Sequence, residues 1–209
     1  MKINAFIDAM YFRHACKIFD KNKKISKEDF EIILESGRLS PSSLGLEPTR
    51  MLVIKNSALR EKMKPLCWNQ EQITTASELV VFKSKVADMK APTNYTRTMV
   101  ARRMEGEKCD AYQERIKGYL LDNDLLGENI INWTARQAYL MASSMMNCAA
   151  FMGIDSCPME GFEQKLLEKF FEIDSFKERI VLIVAFGYRF NEQPIQKYRL
   201  SKDELIEYK

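Results

Sequence analysis

The chain has 209 residues, of which 46% are hydrophobic and 29% charged, and its formal net charge is +3. This composition is typical of one globular domain with a substantial core, and it excludes a disordered chain. The 32 basic and 29 acidic residues are interspersed, so we expect no nucleic-acid partner. The longest apolar run, residues 180–186, is far shorter than the roughly 20 residues that span a bilayer, so we expect no membrane partner.

The cysteines and the single histidine narrow the kinds of site that the chain can build. Five cysteines lack CxxC spacing and their number is odd, which indicates a reduced protein without a disulfide framework or a zinc site. Asp8 interrupts what would be the apolar core of a signal peptide. These two features predict a cytoplasmic protein. With His14 as the only histidine, we expect no metal site and no histidine-based triad.

Hydrophobic spacing and capping signals predict the elements of the first half of the chain. A first helix spans residues 3–13, and Ser26 is placed to cap a second helix with one buried face. The apolar runs at 50–55 and 78–84 are predicted as buried strands. We expect a helix that begins near Ser57, and another that ends before the second of these strands.

The second half contains the longest predicted helix and the strongest predicted strand. Residues 91–126 are polar, charged and helix-permissive, and we expect a helical excursion that covers a site. A helix is predicted over 128–152, with Gly153 as its C-terminal cap. Residues 179–187 are predicted as a strand. The 190–209 tail is polar and has no apolar face of its own, and no linker divides residues 1–209 into separate domains.

Several short clusters remain as candidates for chemistry. The sequence has neither G-x-G-x-x-G nor a GKS/T loop, which argues against Rossmann and P-loop nucleotide sites. We therefore expect a cofactor to supply the chemistry. The clusters are RHACK (13–17), SPSSLGLEP (40–48), WNQEQ (68–72), PMEGF (158–162, predicted as a tight turn after the long helix) and KYR (197–199).

In this order the clusters resemble the motifs of the flavin-dependent nitroreductase family, over nearly the whole chain. RHACKIFD is similar to that family's R-H/Y-S-x-K/R-x-F motif, and SPSSLGLEP is similar to its S-P-S-S-x-x-x-Q-P segment. WNQEQITTASELVVF resembles its asparagine-containing helix and following strand. The segment from NWTARQ to EGF resembles its long helix and E-G-F turn, and IQKYRLS resembles its C-terminal K-x-R motif. The GIDSC stretch is also similar to the branch of the family found in Helicobacter.

The resemblance implies an α+β fold with a central, mostly antiparallel sheet flanked by helices, in an intertwined homodimer. The 128–152 helix would lie at the dimer core, and the 190–209 tail would reach the partner subunit. The implied activity is that of an FMN-dependent, oxygen-insensitive NAD(P)H nitroreductase, which reduces nitroaromatic, quinone or related small-molecule acceptors by two electrons in a ping-pong cycle. Two alternatives stay open: a flavoprotein of the same fold with another acceptor (an enone, a dehalogenation substrate or free flavin), and a low-turnover flavin-binding or sensory protein.

The resemblance assigns the FMN phosphate to three cations. Arg13, Lys197 and Arg199 would hold it, which suits a doubly charged anion that arginine can grip in a bidentate manner. His14 and Ala15 would lie beside them, although a satisfied interior histidine is the alternative for His14.

The resemblance places further residues around the flavin ring. Lys17 would lie at the N1/O2 edge, where a cation stabilises the negative charge that develops on reduction. Asn69 would bond the pyrimidine end. Trp68 would wall the substrate pocket, with a core tryptophan as the alternative. No side chain is implied as an obligatory acid or base. The remaining contacts lie in two loops: Pro41, Ser42 and Ser43, which would approach the partner's FMN, and Pro158, Met159, Glu160 and Gly161, which would follow one ring edge.

Four residues depart from the family pattern, and one of them is Thr49, which stands where an aromatic residue is frequent. Ala15 stands where a serine is usual, and Gln72 stands where a lysine is frequent. Glu47 replaces the usual glutamine, and it places a carboxylate near a site built for anions unless it pairs with Arg50. Cys157 would lie next to the flavin, and we expect it to be a buried apolar residue; a reactive thiol is the alternative.

Overall fold

A computed structural model of the chain describes residues 3–90, 92–192 and 196–209. None of the helices in these ranges is long and apolar enough to cross a membrane. The helices are α1 (Ile3–Phe12), α2 (Lys27–Arg38), α3 (Ser57–Met63), α4 (Gln72–Thr75), α5 (Asn94–Ala101), α6 (Glu107–Asp122), α7 (Asn129–Phe151), α8 (Gln164–Phe170) and α9 (Lys202–Leu205). The strands are β1 (Thr49–Val53), β2 (Glu78–Lys85), β3 (Asp155–Met159) and β4 (Glu178–Gly187).

The four strands form one sheet in the order β1-β2-β4-β3, and every neighbouring pair is antiparallel. This confirms the predicted α+β fold with an antiparallel sheet. The apolar runs predicted as strands correspond to β1, β2 and β4. Because β2 and β4 occupy the centre and are covered on both faces, both were recognisable as nearly continuous apolar runs.

Side chains that alternate along β2 divide the core into two layers. Leu79 and Val81 pack on one face with the 13–20 segment, α3 and α8. Val80 and Phe82 pack on the other face against α2 and α7. All four are fully buried, and each such side chain contributes about 1.5–3 kcal/mol through removal from water. The sheet thus holds a layer of structure against each of its faces.

The long helix α7 packs against the face of the sheet that carries Val80 and Phe82, and its small side chains allow this close contact. Gly153 follows it with φ of 72°, and Ile154 N donates to Ala149 O at 2.8 Å, so the helix ends in the glycine cap that was predicted. The short side chains let the helix approach the sheet and α2 closely. The alanines that are fully buried in this layer are Ala138, Ala142 and Ala149.

The structure corrects the turn predicted at 158–162. Pro158 and Met159 belong to β3 and pair with β4, so the turn begins only at Glu160. Proline is tolerated here because β3 is the last strand in the order, where a missing ladder donor costs least. A strand this short with an internal proline lacks the usual strand signal, which is why it was missed.

Residues 94–122 form α5 and α6 and pack around the start of α7. Val100, Ile116 and Leu120 are buried with Ile130 and Trp133 of that helix. This separate cluster fastens the segment to the domain. Its predicted function as a cover over the site stays a prediction.

Gly187, at the end of β4, allows the N-terminal segment to pack closely. A Cβ at this position would lie 2.8 Å from Cδ1 of Phe19 and 3.1 Å from the backbone nitrogen of Ser77. Because backbone cannot move aside easily, we expect Gly187→Ala to lower the free energy of unfolding by about 1–3 kcal/mol, measured by urea denaturation.

Gly118→Ala is the matched control for this variant. Among the described residues, apart from its chain neighbours and the backbone of its own helix, no heavy atom lies within 4 Å of a Cβ at Gly118 in α6. The variant should be neutral or stabilise the protein by up to about 1 kcal/mol, since alanine is the better helix former. Equal urea midpoints for the two variants would contradict the close packing at Gly187.

Candidate functional site

The segment after α1 runs along the edge of the sheet beside β3. Cys16 N donates to Ser156 O at 3.1 Å, and the side chains of Cys16 and Phe19 enter the core. With these two facing inward, Lys17 is exposed and Arg13 is half-buried. The docking of two apolar side chains therefore sets the positions of the predicted cations.

The three predicted phosphate-binding cations come together. Arg13, Lys197 and Arg199 line one depression, together with apolar side chains of α1. The pKa of Lys197 is lowered by partial burial first and then by the charges of Arg13 and Arg199. A bound anion would remove this mutual repulsion, so the donor set fits a phosphate group.

A buried ion pair lies beside His14, the residue that follows Arg13. Asp155 is buried, and it accepts from Nη2 of Arg189 at 2.6 Å and from Arg189 N at 2.9 Å. The hydrogen bond to Asp155 raises the pKa of Arg189. His14 Nδ1 lies 3.6 Å from the same carboxylate. Asp155 thus links β3 to the segment after α1, a function that sequence reasoning missed because its two partners are distant in the chain.

Lys17 and Gln72 both approach the thiol of Cys157. The Nζ of Lys17 lies 3.9 Å from Sγ, and the Nε2 of Gln72 lies 3.5 Å from it. Burial raises the pKa of Cys157, and the charge of Lys17 opposes this only in part. Cys157 is therefore a buried neutral thiol at neutral pH, as expected from the sequence.

The indole of Trp68 lies over the turn after β3. Trp68 is 63% exposed, which excludes the core alternative, and its Nε1 donates to Glu163 Oε1 at 2.8 Å. Gln70 Nε2 donates to Gly161 O at 2.8 Å, and a Cβ at Gly161 would lie 2.7 Å from Cε3 of Trp68. Trp68 and Asn69 both have φ of 54°, so the backbone adopts a left-handed turn to present this surface. Only glycine fits at 161 with this arrangement.

Helix α7 also contacts the turn after β3. The Tyr139 hydroxyl donates to the carboxylate of Glu160. Desolvation, and then this carboxylate, raise the pKa of Tyr139 well above its usual value. Sequence reasoning missed Tyr139, Gln70 and Glu163, because each acts on a partner far away in the chain and none belongs to a local pattern.

The 40–50 loop borders a second depression. Ser42 Oγ accepts from Glu47 N at 3.0 Å, and Ser43 N donates to Oε1 of Gln137 on α7 at 2.8 Å. Pro41 and Ser42 line this depression. Among the described residues, none lines both this depression and the cationic depression. Within one chain, the 40–50 loop and the phosphate-binding cations therefore belong to separate depressions.

The pairing considered for Glu47 is wrong. Its carboxylate lies 3.5 Å from Arg102 Nη1 and not against Arg50. Arg50 instead donates to the Glu47 backbone carbonyl at 2.9 Å and to the Tyr95 hydroxyl at 2.8 Å. The reason is that Glu47 has φ of 45°, and this turn brings its carbonyl rather than its side chain to Arg50.

Cysteine labelling tests these environments. Burial raises the pKa of Cys67 to about 12 and also raises that of Cys157, whereas Cys148 is only half-buried. With iodoacetamide at pH 8, we expect Cys148 to be alkylated before Cys67 and Cys157, and mass spectrometry measures the order of labelling. All five cysteines should react in urea. Rapid labelling of Cys157 in the native protein at pH 8 would contradict its buried environment.

The raised pKa of Cys67 also makes the stability of the fold depend on pH. An unfolded thiol loses its proton near 9.0, whereas the folded Cys67 keeps its proton to about 12. Its contribution to the free energy of unfolding is therefore retained below pH 9.0 and is lost as pH rises towards 12. Urea denaturation measures this loss, and a free energy of unfolding that does not fall above pH 9.0 would contradict the burial of Cys67.

Comparisons with known proteins agree with the fold and the motifs. The profile of the Nitroreductase family matches residues 10–188. A protein of Staphylococcus aureus (strain USA300), provisionally named an NAD(P)H nitroreductase, is 40% identical over 97% of this chain and 94% of its own length. The crystal structure of the provisionally named nitroreductase ydfN of Bacillus subtilis superimposes with a TM-score of 0.85 at 21% identity, over 100% of both chains. A structure from Exiguobacterium sibiricum, solved in complex with FMN, has a TM-score of 0.78 at 23% identity and covers 98% of this chain and 97% of its own. The chain belongs to the nitroreductase family.

Proposed function

We propose that this chain is an FMN-dependent NAD(P)H oxidoreductase that reduces nitroaromatic, quinone or related small-molecule acceptors by two electrons. The convergence of Arg13, Lys197 and Arg199 carries this proposal, because three cations around one depression suit the phosphate of FMN. The name of the S. aureus relative supports the donor, and the FMN complex of the E. sibiricum structure supports the cofactor.

The residues around the turn after β3 also fit a flavin. The chemistry that bound FMN supplies is acceptance of hydride from NAD(P)H and its delivery to an acceptor. Gly161 lets the indole of Trp68 pack against this turn, and Gln70 holds its carbonyl, so the turn and an exposed aromatic ring form one fixed surface on which a planar ring can bind. Lys17 adds a positive charge on the exposed side of β3 that favours negative charge nearby.

The chain contributes positioning and electrostatics in this scheme. Glu163 holds the exposed Trp68 over the turn, and Tyr139 anchors Glu160, so the surface offered to donor and acceptor is preorganised. Donor and acceptor would use this one surface in turn, which is a ping-pong order. No acid or base of the chain is required.

The second half of the site would come from a partner subunit. We propose a homodimer in which Pro41, Ser42 and Ser43 face the partner's cofactor and the 190–209 tail crosses to the partner. Exposed apolar side chains support this, since Tyr11 of α1 is 65% exposed and Tyr198 of the tail is 77% exposed in the single chain. A cytoplasmic location is part of the proposal, because five cysteines without CxxC spacing suit a reducing compartment.

A visible spectrum tests the proposal. Protein purified after incubation with FMN and gel filtration should retain flavin absorbance, because the cationic depression holds the phosphate. Anaerobic addition of NADPH should bleach that absorbance, and addition of a nitroaromatic or a quinone should restore it. A colourless protein after gel filtration would refute the assignment.

Replacement of two cations tests the phosphate site. The double variant Lys197→Ala/Arg199→Ala should weaken FMN binding roughly 100-fold, since two charge-assisted contacts are lost. Binding of riboflavin, which has no phosphate, should change by less than about 3-fold. Fluorescence titration measures both affinities.

The variant Lys202→Ala/Lys209→Ala is the matched control, because it removes two exposed cations from the same tail. It should bind FMN like the unmodified protein. Unchanged FMN affinity in the Lys197/Arg199 variant, or equal losses for FMN and riboflavin, would contradict a phosphate contact.

A further inference from the structure

The depression beside the 40–50 loop has a cationic rim and an apolar lining. Thioether side chains adapt to flat apolar ligands, and guanidinium groups both stack on aromatic rings and bind carboxylate or phosphate. This combination favours a planar molecule that carries a negative charge. The depression is lined by three arginines, Arg38, Arg50 and Arg102, and by three methionines, Met51, Met99 and Met141.

The charges around this arginine depression do not cancel. Among the described residues that line it, three arginines and one carboxylate, that of Glu47, leave two positive charges. Arg38 is also bound by Glu35, outside the lining, with two contacts of 2.6 Å. One positive charge remains after both carboxylates are counted, so the depression can accept an anion.

Arg50 supplies a cation that is held in place by neutral groups. Its Nη1 donates to Thr49 O at 2.7 Å and to Glu47 O at 2.9 Å, and its Nη2 donates to the Tyr95 hydroxyl at 2.8 Å. These acceptors fix the guanidinium but carry no charge. Arg50 is therefore preorganised and keeps its electrostatic attraction for an anion.

Arg102 is only loosely engaged by Glu47. Its Nη1 lies 3.5 Å from both carboxylate oxygens, longer than the roughly 2.7–2.9 Å of a charge-assisted hydrogen bond. The arginine side chain is 60% exposed, so solvent screens this pair. An incoming carboxylate or phosphate can take a shorter contact with Arg102, and Glu47 opposes it by like-charge repulsion.

We propose that the arginine depression binds the anionic group of an aromatic small molecule that takes part in the proposed oxidoreductase cycle. This inference rests on the proposed function. The shared chemistry is an anion attached to an aromatic framework. The 2′-phosphate of NADPH and a carboxylate on the acceptor are its two sources. Arg102 and Arg50 attract this group, and Glu47 limits its affinity.

Two matched pairs of ligands test the inference on the full-length, FMN-loaded protein. NADP⁺ and NAD⁺ differ in the 2′-phosphate, and 4-nitrobenzoate and 4-nitrobenzamide differ in the carboxylate. Dissociation constants come from calorimetry. Arg102→Gln should weaken the more anionic member of at least one pair about 3- to 10-fold and leave the other member within about 2-fold.

Glu47→Gln should act in the opposite direction, because it removes the repelling carboxylate. We expect it to tighten the same anionic ligand about 2- to 5-fold. Arg97→Gln is the matched control, since Arg97 lies on α5 before Arg102, is 59% exposed and pairs with Asp110 outside the depression. Arg97→Gln should leave all four affinities within about 2-fold.

Each outcome decides the inference. Opposite effects of Arg102→Gln and Glu47→Gln on the phosphate pair identify NADPH as the source, and opposite effects on the carboxylate pair identify the acceptor. Equal effects of Arg102→Gln and Arg97→Gln, or equal losses for both members of each pair, would overturn the inference. Failure to retain FMN overturns the proposed function itself. Retained FMN with no charge discrimination overturns only the arginine depression.

Discussion

The antiparallel pairing of β2 with β4 is the constraint on which the rest of the structure depends. Its alternating side chains are buried on both faces, so the strand pair must hold a layer on each side. Helix α7 fills one side, and the segment that contains Cys16 and Phe19 helps to fill the other. A change in register would exchange the two layers, because successive side chains point to opposite faces. The segment after α1 and strand β3 take their positions from this arrangement.

The candidate site is assembled from contacts between distant parts of the chain. Three hydrogen bonds fix the turn after β3: Gln70 to Gly161, Trp68 to Glu163 and Tyr139 to Glu160. Two originate in the loop between α3 and α4 and the third in α7, so the turn is held from two separate parts of the chain. Such rigidity suits a protein whose contribution to a cofactor reaction is orientation and electrostatics.

Positive charge is divided between two depressions on one chain. The first collects Arg13, Lys197 and Arg199, and the second has Arg50 and Arg102 on its rim. The carboxylate of Glu47 partly offsets the positive charge of the second depression. This different degree of compensation matches the two proposals: a phosphate held in the first depression, and an anion that enters and leaves the second.

The sequence by itself determined the fold class, three of the four strands, the long helix and the family, because periodicity, caps and ordered motifs are local signals. It also identified the three cations that converge. Only the tertiary structure decided that Pro158 lies in a strand, that Glu47 faces Arg102 and that Asp155 contacts His14 in the segment after α1. The physical reason is that an edge strand lacks a strong apolar signal, and that an ion pair or hydrogen bond between distant residues depends on how the sheet brings them together.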